Sequence, residues 1–106
     1  MFKGMSNIYK QAQKMQKDML KAQNELSELE VEGQSGGGMV KVVVDGKKNP
    51  LSVNIDENVL TEDKDMVEDL ILAAMKNAIE NAEKIAEEKM KSATGGSMPN
   101  LNIPGL

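Results

Sequence analysis

The sequence predicts an α+β domain in which a helix, a three-stranded antiparallel meander and a second helix follow one another. Two periodicities support this prediction. Apolar residues recur every three or four positions in residues 5–29 and 66–90, and they alternate with polar residues in between. The first spacing gathers side chains on one side of a helix, and alternation gathers them on one face of a strand. With 106 residues the chain has room for one domain, which we assign to residues 1–94, followed by a flexible tail at residues 95–106.

The first helix is predicted to begin near Ser6, whose hydroxyl suits a helix N-cap, and to end between Leu26 and Leu29. Its apolar residues form a seven-residue repeat without a break, which we call the seam. The seam consists of Met5, Ile8, Ala12, Met15, Met19, Ala22, Leu26 and Leu29. A seam of this length needs a packing partner along the whole helix, so the pattern indicates association with another helix.

Three segments between the helices alternate apolar and polar residues, as half-buried strands do. They centre on Val31, Val42 and Val53. Glycine-rich residues 33–38 separate the first two segments, and residues 45–50, which include a glycine and a proline, separate the last two. Short connections of this composition predict an antiparallel meander with one apolar face.

The second helix is predicted to open at Thr61 or Asp63, because acidic residues cluster where the positive end of the helix dipole would lie. Asp65 and Glu68 have the spacing of a capping box, and the glycines at 95–96 are expected to stop the helix. A divalent-cation site is the alternative interpretation of these acids, but the segment lacks the glycine and the ligand order of an EF-hand. We therefore interpret the acids as helix-capping groups and predict no metal site.

The predicted helices are too long for the sheet between them. Helices of about 24 and about 30 residues are about 36 and about 45 Å long, whereas a compact chain of this size has a radius of gyration of about 13 Å. A meander of three short strands cannot cover two apolar stripes of that length. We therefore predict a homodimer with long projecting helical arms.

Positive charge is concentrated in the first helix of an otherwise acidic chain. The net charge is −4, yet residues 1–24 carry five lysines and one aspartate, a local charge of +4. Four of these lysines lie two residues after a seam residue and therefore point roughly away from the seam. The candidate anion-binding residues are Lys3, Lys10, Lys14, Lys17 and Lys21. Because the chain contains no arginine, contact with phosphate is a better match than bidentate reading of base edges.

The composition excludes several classes of function. The chain contains no cysteine and no histidine, which removes disulfide, thiolate and imidazole chemistry and the usual zinc and haem ligands. Glycines 36–38 do not match a phosphate-binding loop, because they lead into a predicted strand and no Lys-Ser or Lys-Thr pair follows them. No apolar run approaches the length of a membrane span or the core of a signal peptide. We therefore expect no enzymatic activity, no cofactor, no small-molecule substrate and no membrane partner.

The order of the elements, together with three of their segments, resembles the YbaB/EbfC family of bacterial nucleoid-associated proteins. The segments are LEVEGQSGGGMVKV at 29–42, VNID at 53–56 and DMVEDLI at 65–71. The resemblance extends over nearly the whole chain. It implies a helix, three strands and a helix in each subunit, a tweezers-like dimer, and binding to double-stranded DNA in the bacterial cytoplasm with association to the nucleoid. Members of that family are thought to contact DNA with their helical arms.

Two functions remain open from the sequence. In the first, a homodimer binds double-stranded DNA mainly through phosphate contacts of the five lysines and affects nucleoid organisation or gene expression. In the second, a chaperone-like or protein-binding module clasps other proteins between its helical arms. A lysine stripe is also compatible with a solvated helix face that has no ligand. The scarcity of acids among the lysines, with Asp18 as the exception, and the acidic remainder of the chain favour the DNA-binding hypothesis.

Overall fold

The structure is a computed structural model that describes residues 2–93, with side chains described from Ser6 onward, and it confirms the α+β fold. The elements are helix α1 (Phe2–Ser27), strands β1 (Val31–Ser35), β2 (Val40–Val44) and β3 (Pro50–Ile55), and helix α2 (Lys64–Ala93). The strands form one antiparallel sheet in the order β1-β2-β3, which is the predicted meander. The expected helix stop at residues 95–96 and the flexible tail at 95–106 lie outside the described residues.

Helix α1 begins earlier than the sequence predicted. It starts at Phe2 rather than at Ser6, and it ends at Ser27, within the predicted range. No proline interrupts residues 2–6, and Gly4 and Ser6 each cost no more than about 1 kcal/mol in a helix interior. A cost of this size does not end a long helix, so the predicted N-cap at Ser6 is wrong and this residue lies inside α1.

Helix α2 lies across β1 and β2, and the main core forms between them. Val40, Val42 and Val44 of β2 are fully buried, as are Ala74 and Ala78 of α2. The core therefore consists of short aliphatic side chains, which agrees with a chain that has one Phe and one Tyr. Because alanine keeps the helix surface low, the backbone of α2 comes close to the sheet.

Helix α2 approaches the sheet closely over Gly33 in β1. A Cβ atom at Gly33 would lie 2.5 Å from the carbonyl oxygen of Ala74 and would collide with the backbone nitrogen of Ala78. Any residue other than glycine would therefore push α2 away from β1. The position of α2 therefore depends on Gly33 having no side chain.

Two asparagines of α2 bind the edge of β1. The Asn77 Oδ1 atom accepts a hydrogen bond from the backbone N–H of Gln34 at 3.0 Å, and Asn81 Nδ2 donates to the carbonyl oxygen of Glu32 at 3.0 Å. These contacts satisfy backbone groups that have no neighbouring strand on that side. They also hold α2 over β1, at the far side of the sheet from β3.

The start of α2 differs in detail from the prediction. A 3₁₀ turn at Glu57–Thr61 follows β3 and buries Val59, and the carboxylate of Asp63 then accepts a hydrogen bond from the backbone N–H of Met66 at 2.8 Å. Asp63 is therefore the N-cap, one of the two predicted starts. The predicted capping box at Asp65 is wrong, because Asp65 already lies in the first turn of the helix.

The turn between β2 and β3 supports the end of α1. The buried carboxylate of Asp45 accepts hydrogen bonds from the backbone N–H of Asn49 at 3.0 Å, from Asn49 Nδ2 at 2.9 Å and from the backbone N–H of Lys47 at 2.8 Å. These bonds, first those from Asn49, hold the pKa of Asp45 below its usual range. In the same turn, the backbone N–H of Gly46 donates a hydrogen bond to the carbonyl oxygen of Leu26, in the last turn of α1, at 2.8 Å.

The C-terminal ends of α1 and α2 pack together in a second apolar cluster. It comprises Ala22 and Leu26 from α1 and Ala86 and Met90 from α2, with Met19 packed at its border. The molecule measures 72 × 24 × 17 Å and has a radius of gyration of 19.2 Å, against about 13 Å for a compact chain of this length. Because α2 is only about 45 Å long, α1 must extend beyond it. The predicted helical arm is therefore present.

Candidate nucleic-acid interface

Four of the five candidate lysines lie on one side of the projecting helix. Lys10, Lys14, Lys17 and Lys21 are all exposed, and their spacing of four, three and four residues aligns them along α1. We call this set the lysine stripe. From Ser6 to Lys14 every residue of α1 is exposed, so the outer part of the stripe lies on a stretch of helix that no other described element covers. The side chain of the fifth candidate, Lys3, lies outside the described part.

The outer lysines of the stripe have no acidic partner within the part of the chain that the structure describes. No carboxylate there lies within 4.0 Å of the ammonium group of Lys10, Lys14 or Lys17. At the base of the arm, by contrast, Lys89 Nζ of α2 binds Glu25 Oε2 at 2.7 Å. The outer stripe therefore presents ammonium groups that an external anion can neutralise.

The innermost lysine of the stripe has a different environment. Glu25 lies one helical turn after Lys21, and its pKa is lowered first by the hydrogen bond and charge of Lys89 and then by the charge of Lys21. Part of the field of Lys21 is therefore already compensated inside the protein. We expect Lys10, Lys14 and Lys17 to bind an anion more strongly than Lys21.

The most acidic segment of the chain and the lysine stripe lie at opposite ends of the molecule. Residues 56–69 carry seven acids and one lysine, whereas residues 6–24 carry four lysines and one acid. From Asp65 to Lys89, α2 alone spans about 36 Å, and α1 extends beyond it. Charges are screened over about 8 Å at physiological ionic strength. The acidic end therefore does not cancel the attraction of the lysine stripe for a polyanion.

Other signals in the sequence have structural explanations. Gly36, Gly37 and Gly38 all have positive φ, from 60° to 93°, and form a tight connection between β1 and β2 rather than a phosphate-binding loop before a helix. Within residues 2–93 no group of three or more acidic side chains is placed to hold a metal ion, and neither helix is long and apolar enough to cross a lipid bilayer.

The sequence indicated the glutamines around the lysine stripe, Gln11, Gln13, Gln16 and Gln23, as polar side chains able to donate to phosphates or base edges, but it did not single out Tyr9 or Leu20. A shallow surface depression on α1 combines three of its lysines with uncharged residues. It is lined by Lys10, Gln13, Lys14, Gln16, Lys17 and Leu20. Leu20 is 54% exposed and Tyr9, one turn before Gln13, is 66% exposed. A local sequence signal could have identified all of these uncharged residues, since each directly precedes a lysine of the stripe.

A second exposed surface lies on the helix-facing side of β3. Val53 pairs with the buried Val42, and cross-strand partners point to the same face of a sheet, so Val53 faces the side on which α2 lies. Because α2 is held over β1, Val53 remains 49% exposed and Leu51, on the same face, 53%. Leu72 of α2 is also exposed, at 52%. The sequence predicted the apolar face but not that it would be uncovered.

Comparisons with known proteins agree with this architecture. Residues 1–98 match the family model described as the YbaB/EbfC DNA-binding family. Among solved structures, the chain is similar to the uncharacterized protein HP0035 from Helicobacter pylori, with 24% sequence identity and a TM-score of 0.57. That match covers 74% of this chain and 89% of the other. At 24% identity the similarity to this structure supports the fold alone, and the assignment to the family rests on the family model.

Proposed function

Because the chain belongs to the YbaB/EbfC DNA-binding family, we propose that it is a nucleoid-associated protein whose homodimer binds double-stranded DNA through phosphate contacts of α1. The observation that carries this proposal is the lysine stripe, whose outer members are exposed and unpaired among the described residues. Lysine acts as a point charge that suits phosphate without specifying a base. A location in the bacterial cytoplasm, on the nucleoid, and an effect on nucleoid organisation or gene expression belong to this proposal. The family description names DNA binding and no reaction, which supports a role without catalysis.

The uncovered face of β3 supports the homodimer. Leu51 and Val53 are each about half exposed on the helix-facing side of β3, and contiguous apolar surface of this kind marks interaction sites in soluble proteins. A second copy offers the same apolar surface, so a two-fold contact would bury both at once. Such a dimer would carry two copies of α1, and therefore two lysine stripes, on one particle.

The proposal predicts strongly salt-dependent binding. If the four lysines of both stripes each contact a phosphate, the slope of log affinity against log salt concentration is about −7, and partial engagement gives about −3 to −5. Replacing Lys10, Lys14, Lys17 and Lys21 together by glutamine should abolish binding to a fluorescent duplex in anisotropy titrations. The reason is that contacts of these four ammonium groups with phosphates release the cations condensed on the duplex, and this release drives binding. Circular dichroism should show an unchanged helix content.

A matched control tests whether net charge alone is responsible. Lys47, Lys64, Lys76 and Lys84 are exposed and lie outside α1, and their replacement by glutamine changes the net charge by the same amount. The control variant should retain most of the affinity and the slope of the wild type. If the stripe variant binds the duplex as the wild type does, or the control loses binding equally, the stripe is not the binding surface.

One observation favours a second candidate function, a chaperone-like or protein-binding module. Ile8 of the seam is 68% exposed on the projecting part of α1, as expected for arms that clasp apolar segments of other proteins. Suppression of the aggregation of a denatured protein, without retardation of duplex DNA, would favour this function over DNA binding. Retardation of DNA with no effect on aggregation would exclude it.

A further inference from the structure

A row of uncharged side chains runs along α1 beside the lysine stripe. We call it the groove row, and it consists of Tyr9, Gln13, Gln16 and Leu20. Because each member directly precedes a lysine of the stripe, the row is turned about 100° from the stripe around the helix axis. Its members span about 17 Å along the helix, and all four are exposed. The row is therefore a continuous surface on the arm rather than a single exposed residue.

The other flank of the stripe has a different chemistry. It carries Asp18 and Glu25, and Lys89 of α2 reaches over this flank to bind Glu25 at 2.7 Å. A phosphate backbone that approached from this flank would meet carboxylates and the end of α2. The groove row offers neither obstacle, since none of its members is charged and all four are exposed. A polyanion bound at the lysine stripe is therefore expected to extend over the groove row.

Resting on the DNA binding proposed above, we propose that the groove row faces the major groove of the duplex while the lysine stripe contacts the adjacent phosphates. The major groove is about 12 Å wide and admits an α-helix. The amides of Gln13 and Gln16 can donate to and accept from base edges, and adenine presents the matching pair of groups. Leu20 and the ring of Tyr9 can pack on sugars and thymine methyl groups. The row thus supplies the part of the affinity that does not depend on salt, with a preference for sequences that contain A·T pairs.

The inference is tested by separating salt-dependent from salt-independent binding. The variant Gln13→Ala with Gln16→Ala should lower the affinity for a mixed-sequence duplex at fixed salt by about 5- to 150-fold for each bidentate base contact that is lost. The slope of log affinity against log salt should stay at the wild-type value, because no phosphate contact is removed. The difference in affinity between A·T-rich and G·C-rich duplexes should also decrease.

A matched double substitution on the other flank serves as the control. Asn7 and Gln11 are exposed polar residues of α1 on the side of Asp18, and their replacement by alanine should leave affinity and slope unchanged. The variant Tyr9→Ala with Leu20→Ala provides a second test of the groove row and should lower the affinity without changing the slope. Alanine favours helix, so α1 should persist in every variant, which circular dichroism checks.

The outcomes distinguish this inference from the proposed function. If the wild type does not bind duplex DNA at low salt, the proposed function fails. If the wild type binds with a steep slope and both groove-row variants bind as tightly as the wild type, the DNA-binding function stands and the proposed role of the groove row is wrong. A loss of affinity in the Asn7 and Gln11 control as large as in the groove-row variants would also overturn the inference, because either flank would then serve.

Discussion

At the scale of single residues, Gly33 determines how closely α2 approaches the sheet. Replacement by alanine would bring the new Cβ to 2.5 Å from the carbonyl oxygen of Ala74 and into the backbone of Ala78. Backbone atoms cannot rotate away as a side chain can, so the helix must shift. We expect Gly33→Ala to lower the free energy of unfolding by at least about 1–3 kcal/mol, the usual cost of overpacking, as measured by urea denaturation.

A glycine in the β1–β2 connection provides the control for this prediction. A Cβ at Gly37 would meet no atom within 4 Å, and its φ of 67° is one that asparagine tolerates. Gly37→Asn should therefore cost much less than Gly33→Ala. Equal losses for the two variants would mean that flexibility of the chain, rather than the distance between α2 and β1, sets the requirement for glycine.

Contacts of this kind were not predictable from the sequence. Gly33 satisfied the alternation of the first strand, but its contact with Ala78 depends on residues 45 positions apart and on where the helix crosses the sheet. The sequence likewise predicted residues 45–50 only as a turn. The hydrogen bonds to the Asp45 carboxylate could not be predicted, because they require the folded backbone of Lys47 and Asn49. The lysine stripe was predictable, since its spacing within one helix is a local property.

At the scale of the secondary-structure elements, the start of α2 depends on one cap. Asp63 accepts a hydrogen bond from the backbone N–H of Met66, whereas Asp65 lies in the first turn, where its charge interacts with the helix dipole. We expect Asp63→Ala to lower the free energy of unfolding by about 0.5–2 kcal/mol. Asp65→Ala should cost less, about 0.3–1 kcal/mol. Thermal or urea unfolding of the two variants side by side measures the difference, and a larger loss for Asp65→Ala would contradict the assigned cap.

The elements themselves were predictable because their signals are periodic over many residues. Both helices and all three strands appear where the spacing of apolar residues indicated them. Boundaries were less certain, since Ser6 and Asp65 both had the chemistry of helix starts and neither is one. The exposure of Val53 could not be predicted, because it depends on α2 being held over β1 by Asn77 and Asn81.

At the scale of the whole molecule, the proposed dimer and the proposed DNA binding are linked through the number of lysines. Leu51 and Val53 lie on the uncovered face of β3, and Leu51→Asp with Val53→Asp should separate the copies by placing charges in the contact. Ser52→Asp with Asn54→Asp adds the same charge to the opposite face of the same strand and serves as the control. Sedimentation analysis should show the first variant at the mass of one chain, 11.5 kDa, and the control as a dimer.

The salt dependence of DNA binding should then report how many chains act together. With four phosphate contacts in place of eight, the slope of log affinity against log salt falls from about −7 to about −3.6 in the variant that separates the copies, and stays unchanged in the control. The affinity should fall as well, since each particle then holds one lysine stripe rather than two. A monomeric variant that kept the wild-type slope would show that a single α1 makes all the phosphate contacts. The dimer would then have no part in holding the duplex.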